Sequence, residues 1–158
     1  MMDFPIRSSL FDIEEGKQLQ ALFDAQGLIP VITQDNASLE VLMLGWMSRE
    51  ALEKTIVSGM AHYWSRARQQ LWKKGERSGQ AQIVNRILID DDQDCLLLRV
   101  TLTKGASCHV GYRSCFFREL NIADSKTDFS LTYLETEKIY DPELAYGFNP
   151  HQQTIKTP

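Results

Sequence analysis

The sequence predicts a single β-sheet-rich domain with few helices. Several segments rich in Val, Ile and Leu are bounded by turn-forming residues, which is typical of strands, and only two segments carry helical patterns. The chain has 158 residues, the length of one ordinary domain. Hydrophobic residues make up 43% and charged residues 24%, so an ordered globular fold is expected.

The N-terminal part predicts a helix followed by a β-hairpin. Residues 14–25 carry apolar side chains at helical spacing, and Gly27 follows as a stop signal. The apolar positions are Leu19, Leu22 and Phe23. Beyond it, residues 29–33 and 39–47 flank the turn-forming sequence QDNAS, which predicts two antiparallel strands.

A second helix is predicted over residues 49–58. Ser48 is a favourable N-cap, Glu50 places a negative charge in the first turn, and Gly59 provides the C-terminal stop.

Two further strands are predicted at residues 81–89 and 95–102, on either side of an acidic turn. Residues 116–120, with the sequence FFREL, are predicted to close the sheet. After residue 120 the apolar pattern weakens. We therefore expect a domain over residues 1–120 and a C-terminal extension, residues 121–158, that packs on it or is partly flexible.

Composition excludes several classes of function. A net charge of −4 disfavours wrapping a nucleic acid, and no apolar run approaches the ~20 residues of a membrane span. The first residues lack a secretory signal, so a cytoplasmic location is expected. Three cysteines do not make a disulfide framework, and the absence of a C-x-x-C motif disfavours a thioredoxin-like redox pair. The absence of Walker and G-x-G-x-x-G patterns excludes a nucleotide P-loop.

The first candidate for chemistry is a basic segment, residues 62–80, with the sequence HYWSRARQQLWKKGERSGQ. Its only acid is Glu76, and its basic residues are Arg66, Arg68, Lys73, Lys74 and Arg77. Arginine and lysine side chains bind phosphate, and the glycines allow backbone N–H groups to approach it. The segment therefore favours a small phosphorylated ligand. The alternative is a solvated basic loop in which Trp64 and Trp72 fill the core.

The second candidate is the acidic turn DDDQD. Asp90, Asp92 and Asp94 alternate along the chain, and their mutual repulsion is relieved by a cation or by solvent. Carboxylate oxygens suit Mg²⁺ or Ca²⁺. An EF-hand is excluded, because its sixth and twelfth positions would be Cys95 and Thr101 instead of Gly and Glu. A solvated acidic turn remains the alternative.

The third candidate is Cys108-His109 with Cys115, a weak zinc signal because buried cysteines are common. With one or two more ligands and a water, this set could form a catalytic metal site. The other two histidines are less promising. His62 is as compatible with the core as with a ligand, and His151 lies in a polar tail.

Taken together, four motifs resemble the phosphoribosyl-AMP cyclohydrolase family of histidine biosynthesis. In order they are VLMLGWMSREALEKTIVSG, HYWSRARQQLWKKGERSGQ, DDDQD and CHVGYRSCFF, and the likeness runs over residues 27–117. The resemblance implies an α+β fold and an intertwined homodimer with active sites at its interface. It also implies hydrolytic opening of the adenine ring of 1-(5-phosphoribosyl)-AMP between N1 and C6, a phosphorylated purine ribotide as ligand, and neither nucleic-acid nor membrane binding.

The resemblance also implies two metals. Its magnesium aspartates correspond to Asp90, Asp92 and Asp94. Two of its zinc cysteines correspond to Cys108 and Cys115, and its third, supplied by the partner subunit, corresponds to Asp91. One Zn²⁺ per subunit would thus be shared across the dimer. We expect Asp91 to replace the missing thiolate, since Cys95 lies roughly 13 Å further along an extended chain.

For the substrate, the resemblance and the chemistry of the side chains imply a larger set of contacts: Trp64, Ser65, Arg66, Arg68, Trp72, Lys74, Ser78 and Gly79. His109 is the expected proton-transfer residue, with an orienting role as the alternative. Because Asp91 departs from the family pattern, the alternative function is that of a paralogue that binds a nucleotide or a metal with altered or absent activity. An RNA-binding module is disfavoured by the net acidity.

Overall fold

A four-stranded sheet organises the chain in the computed structural model, which describes residues 4–122 and 129–147. In chain order the elements are α1 (Leu10–Glu14), β1 (Leu28–Asp35), β2 (Val41–Ser48), α2 (Arg49–Ser58), β3 (His62–Ser65), β4 (Gln70–Lys73), β5 (Gln82–Ile89), β6 (Leu96–Leu102), β7 (Arg118–Leu120), β8 (Leu131–Tyr133) and α3 (Pro142–Tyr146). The domain is thus a β-rich α+β fold with three short helices in its described part, as predicted.

The main sheet has the strand order β2-β1-β6-β5. The β1–β2 and β5–β6 pairs are antiparallel hairpins, which confirms both predictions. The two hairpins join through β1 and β6, which pair in parallel with Val31 opposite Leu96. The acidic turn consequently lies at one end of the sheet, between β5 and β6.

One face of this sheet carries the core. Ile29 and Val31 of β1 and Leu98 of β6 are fully buried, and they pack with Leu52 of α2 and Tyr63 of β3. Burial of each such side chain stabilises the fold by about 1.5–3 kcal/mol. The small β3–β4 hairpin is therefore fixed against the core through Tyr63.

Helix α2 begins and ends where the sequence predicts. The Ser48 hydroxyl accepts a hydrogen bond from the N–H of Ala51 at 3.2 Å. Gly59 closes the helix at φ 67°, a left-handed conformation that glycine adopts without steric penalty.

The helix predicted over residues 14–25 is wrong. Helix α1 ends at Glu14, and the following segment lies without helix along the acidic turn, where the N–H of Leu22 donates to the carbonyl of Gln93 at 2.7 Å. Leu19, Ala21 and Phe23 pack on the core, whereas Leu22 is exposed. The buried side chains of this segment therefore recur every two residues, as in an extended chain, instead of every 3.6 residues. Hydrogen bonds to a distant turn replace those of a helix.

The prediction that FFREL closes the main sheet is also wrong. The N–H of Cys115 makes a single hydrogen bond to Leu42 of β2, and β7 then pairs with β8 in a separate sheet. Phe117 instead joins an aromatic cluster, in which its ring stacks on Tyr112 with centroids 4.1 Å apart and lies beside Tyr133 of β8.

Among the described helices, none has the length and apolar character required to cross a membrane. Of the C-terminal extension, residues 123–128 and 148–158, which include His151, lie outside the described residues.

Candidate active site

A cavity of about 630 Å³ lies between the β3–β4 hairpin, the loop that follows it, the cysteine segment and α3. It is lined by Met43, Leu44, Ser65, Ala67, Arg68, Trp72, Lys73, Lys74, Gly75, Glu76, Arg77, Ser78, Ser107, His109, Cys115 and Tyr146. Seven of the residues predicted from the sequence therefore meet in one place: Ser65, Arg68, Trp72, Lys74, Ser78, His109 and Cys115.

The β3–β4 hairpin places the phosphate-binding candidates. Its turn is closed at Ser65, whose hydroxyl accepts hydrogen bonds from the backbone N–H and from Nε of Arg68 at 3.2 and 3.3 Å. The guanidinium of Arg68 lies 5.9 Å from the Trp72 ring centroid. Trp72 in turn lies against Tyr63 of the core, with ring centroids 5.4 Å apart. A charged group is thus held at the cavity by a hairpin anchored in the core.

Lys74 occupies an unusual position. Its side chain is buried, and its Nζ donates a hydrogen bond to the carbonyl of Ser107, next to Cys108. Burial lowers the pKa of Lys74, while the nearby thiols of Cys115 and Cys108 oppose that shift. The ammonium group therefore faces the cysteine segment as well as the cavity.

The cysteine loop, residues 107–115, folds back on itself. The N–H of Ser107 donates to Arg113 at 2.8 Å, and that of Gly111 donates to Cys108 at 3.1 Å. The Arg113 guanidinium ties the loop to the β1–β2 hairpin through Asp35 at 3.3 Å and Glu40 at 2.8 Å.

This folding brings the Cys108 and Cys115 side chains close enough for each to affect the protonation of the other. The hydrogen bond from Cys115 lowers the pKa of Cys108 to about 6 against the opposing effect of burial, with further support from the N–H of Val110 and the charge of Lys74. The same contact raises the pKa of Cys115. The pair therefore releases its first proton readily, and the thiolate is the form in which cysteine binds a metal.

A buried hydrogen-bond network connects the cysteine loop to the core. Tyr63 donates to Oε1 of Gln82 at 2.7 Å and contacts the Thr33 hydroxyl at 2.7 Å, and Nε2 of Gln82 donates to the Ser107 hydroxyl at 3.0 Å. Because buried polar groups are costly when unpaired, this network fixes Ser107, and with it Cys108.

The acidic turn gathers its three alternate carboxylates. One oxygen from each of Asp90, Asp92 and Asp94 lies within 4.8 Å of the others, and all three residues are exposed. Desolvation and the negative charges of Asp92 and Asp90 raise the pKa of Asp94. Such a set of hard oxygen donors fits Mg²⁺, which would relieve the repulsion.

Several predicted residues lie elsewhere. Arg66 extends over the Trp46 ring at 4.6 Å, and Trp64 pairs with Leu71 within the hairpin. The residues from the predicted set that do not line the cavity are Trp64, Arg66, Gly79, Asp90, Asp91, Asp92, Asp94 and Cys108. His62 contacts the carbonyl of Met60 through Nδ1 at 2.8 Å.

Asp91 is exposed on the acidic turn. Across residues 4–122 and 129–147, the acidic triad is the only group of three potential metal ligands, so the two cysteines have no third one beside them. A complete zinc site would need a ligand from outside this described part of the chain.

Tyr146 and Arg77 line the cavity but were not among the predicted site residues. The sequence around Tyr146 has little periodicity, and only the fold of the C-terminal extension brings it to the cavity. Arg77 belongs to the basic segment, so its place in the sequence could have indicated a role at the cavity.

Comparison with known proteins accounts for the combination of a basic cavity, a cysteine pair and an acidic triad. The family model for phosphoribosyl-AMP cyclohydrolase matches residues 43–117. The phosphoribosyl-AMP cyclohydrolase of Rhodopseudomonas palustris strain HaA2 is 48% identical over 139 residues, covering 88% of this chain and 93% of its own length. That of Chlorobium limicola is 48% identical, covering 86% and 94%, and that of Methanococcoides burtonii is 52% identical, covering 78% and 93%. The chain belongs to the phosphoribosyl-AMP cyclohydrolase family.

Proposed function

We propose that the cavity binds 1-(5-phosphoribosyl)-AMP and that its adenine ring is opened beside the cysteine loop. The chain catalyses the reaction of its family in histidine biosynthesis, the hydrolytic cleavage of the bond between N1 and C6. The observation that carries the placement is that one cavity is lined by Arg68, His109 and Cys115. Phosphate binding, proton transfer and metal binding are thereby available within a single site.

The donor sets suit two different metals. Cys108 and Cys115, whose thiols lie close together in the loop, fit a zinc ion, with Asp91 of the partner subunit as the third ligand. The clustered oxygens of Asp90, Asp92 and Asp94 fit Mg²⁺. When bound there, zinc would supply Lewis acidity that lowers the pKa of water toward about 7.

The remaining steps belong to side chains of the cavity. Arg68 and Ser78 bind phosphate oxygens, while Trp72 offers an aromatic surface. His109 is exposed and lines the cavity beside Cys115, so its imidazole can accept a proton and return it to the ring nitrogen that is released. Buried Lys74 offsets negative charge at the cysteines.

A homodimer accounts for two further observations. The zinc pair lacks a third ligand among the described residues. The sheet face opposite the core also carries a row of apolar side chains in register, Leu44, Ile32, Leu97 and Leu88, and Leu44 is 54% exposed. Covering such a row with a second subunit would remove apolar area from water.

The proposal is tested by following the ultraviolet absorbance change of ring opening. Purified protein loaded with Zn²⁺ and supplied with Mg²⁺ is mixed with phosphoribosyl-AMP, and Cys115→Ser serves as the matched inactive variant. Turnover by the wild type, without turnover by Cys115→Ser, supports the proposal. Absence of turnover in metal-loaded wild-type protein would favour a paralogue that only binds a nucleotide or a metal.

A further inference from the structure

The C-terminal extension lies against the cysteine loop. The N–H of Ile139 donates to the carbonyl of Gly111 at 2.8 Å. The carboxylate of Glu135 accepts hydrogen bonds from the N–H groups of Arg113 and Ser114 at 2.8 and 3.0 Å. These contacts join a segment beyond residue 117, where the family match ends, to the loop that carries the two cysteines.

Gly111 allows this close approach. Its φ is 108°, and a Cβ atom at this position would lie 2.5 Å from the carbonyl oxygen of Tyr140. Any other residue would force the two backbones apart. The loop sequence is thus adapted to a C-terminal segment packed directly on it.

Tyr140 continues the connection toward the cavity. Its hydroxyl lies 3.1 Å from the carbonyl oxygen of Cys108 and 3.2 Å from that of His109, within donating distance of both. The same hydroxyl lies 3.4 Å from that of Tyr146. Two phenols therefore link the backbone of the cysteine loop to the cavity wall.

Tyr146 stands at the end of α3, which Gly147 terminates at φ 71°. Its ring lines the cavity, and the guanidinium of Arg77 lies 5.8 Å from the ring centroid and donates to the Tyr146 carbonyl at 3.3 Å. Trp72 is a second aromatic residue lining the same cavity.

We propose that Tyr146 is a substrate-binding residue whose ring contacts the purine, and that Tyr140 is a positioning residue that holds the backbone of His109. The inference rests on the function proposed above. The purine is the favoured contact, because the ring must react beside the cysteine loop, to which Tyr146 is linked through Tyr140. The cationic residues Arg68 and Lys73 remain for the phosphates.

Kinetics and ligand binding of two variants test the role of Tyr146. Stacking of a base on an aromatic ring is worth about 1–3 kcal/mol, so Tyr146→Ala should raise KM about tenfold with kcat and bound metal unchanged. Tyr146→Phe keeps the ring and loses only the hydroxyl, so its KM should lie well below that of Tyr146→Ala. Leu144→Ala, on the exposed side of the same helix, is the matched control. A KM for Tyr146→Ala equal to that of Leu144→Ala would overturn the assignment, as would loss of metal.

Tyr140→Phe removes only the hydroxyl. We expect kcat to fall about fivefold, as for one lost hydrogen bond of ~1 kcal/mol, with KM little changed. An unchanged kcat would contradict the positioning role. The dissociation constant of AMP, measured by calorimetry in all variants, separates this inference from the reaction itself. If the wild type binds AMP without opening phosphoribosyl-AMP, the proposed function fails, and weaker AMP binding by Tyr146→Ala would still support the purine contact.

Discussion

Gln93 bonds to Gln20 across 73 residues of sequence, with its Oε1 accepting a hydrogen bond from the Gln20 backbone N–H at 2.6 Å. Its Nε2 donates to the carbonyl of Ile13 at 2.8 Å, and its own backbone is left-handed at φ 59°. A side chain inside the acidic turn therefore ties the N-terminal segment to the turn that carries the three aspartates.

Gln93→Ala should lower the free energy of unfolding by about 1–3 kcal/mol, because buried backbone groups lose their partner. It should also raise the Mg²⁺ concentration needed for half-maximal activity. Denaturant unfolding and a Mg²⁺ titration measure the two effects. Gln26→Ala, at an exposed turn, is the matched control. A normal Mg²⁺ requirement in a destabilised Gln93→Ala protein would show that the turn keeps its shape without this side chain.

Asp90→Asn, Asp92→Asn and Asp94→Asn should each increase the Mg²⁺ requirement for activity and leave bound zinc in place. The reason is that each variant removes one charge from a set of oxygens within 4.8 Å of one another. Activity as a function of Mg²⁺ and zinc content by atomic absorption are the measurements. Titrations identical to wild type would identify the turn as merely solvated.

Cys108→Ser and Cys115→Ser should each lose bound zinc and activity together, because the two thiols lie close together and form the soft part of the donor set. Cys95→Ala is the matched control. Its thiol lies beside the acidic turn and contacts the carbonyl of Leu96 at 3.8 Å. Stoichiometric zinc in Cys108→Ser or Cys115→Ser would place the metal elsewhere.

Asp91→Cys should slow the loss of zinc to a chelator and reduce activation by Mn²⁺ or Co²⁺, since thiolate favours zinc more strongly than carboxylate does. Asp91→Ala should lose zinc faster than the wild type. The measurement is the rate of zinc release to a chelator from four proteins: the wild type, Asp91→Cys, Asp91→Ala and Cys95→Ala. If Asp91→Ala retains zinc while Cys95→Ala releases it, the third ligand is Cys95.

Stability should fall in acid through Asp35. Burial raises the pKa of this carboxyl, but hydrogen bonds from Ser38 and the charge of Arg113 outweigh it and hold the pKa below its ordinary value. A lowered pKa contributes stability that is present above the unfolded value of about 3.9 and is lost as pH falls toward the folded value. Asp35→Asn should therefore flatten the acid side of a plot of unfolding free energy against pH. An unchanged slope would contradict this linkage.

Local signals predicted the parts of the fold that depend on local chemistry. Helix α2 needed only the Ser48 cap, its apolar spacing and Gly59, all of which lie within a dozen residues. The segment after α1 could not be predicted in this way, because its partner Gln93 is distant and its apolar residues suit either period. The basic segment and the cysteines were recognised because their chemistry is visible in the local sequence. Tyr146 was not, because it enters the site only through contacts that α3 makes with a remote loop.

The parallel pairing of β1 with β6 has a consequence for synthesis of the chain on the ribosome. The β1–β2 hairpin is complete once Ser48 has emerged, but the inner edge of β1 stays unpaired until residues 96–100 follow. During that interval a nascent chain exposes a row of backbone N–H and C=O groups beside apolar side chains, which is a template for pairing with another chain. Slow translation between Gly59 and Ile89 should therefore promote aggregation of the nascent protein. A molecule that binds the unpaired edge of β1 during synthesis should suppress this aggregation.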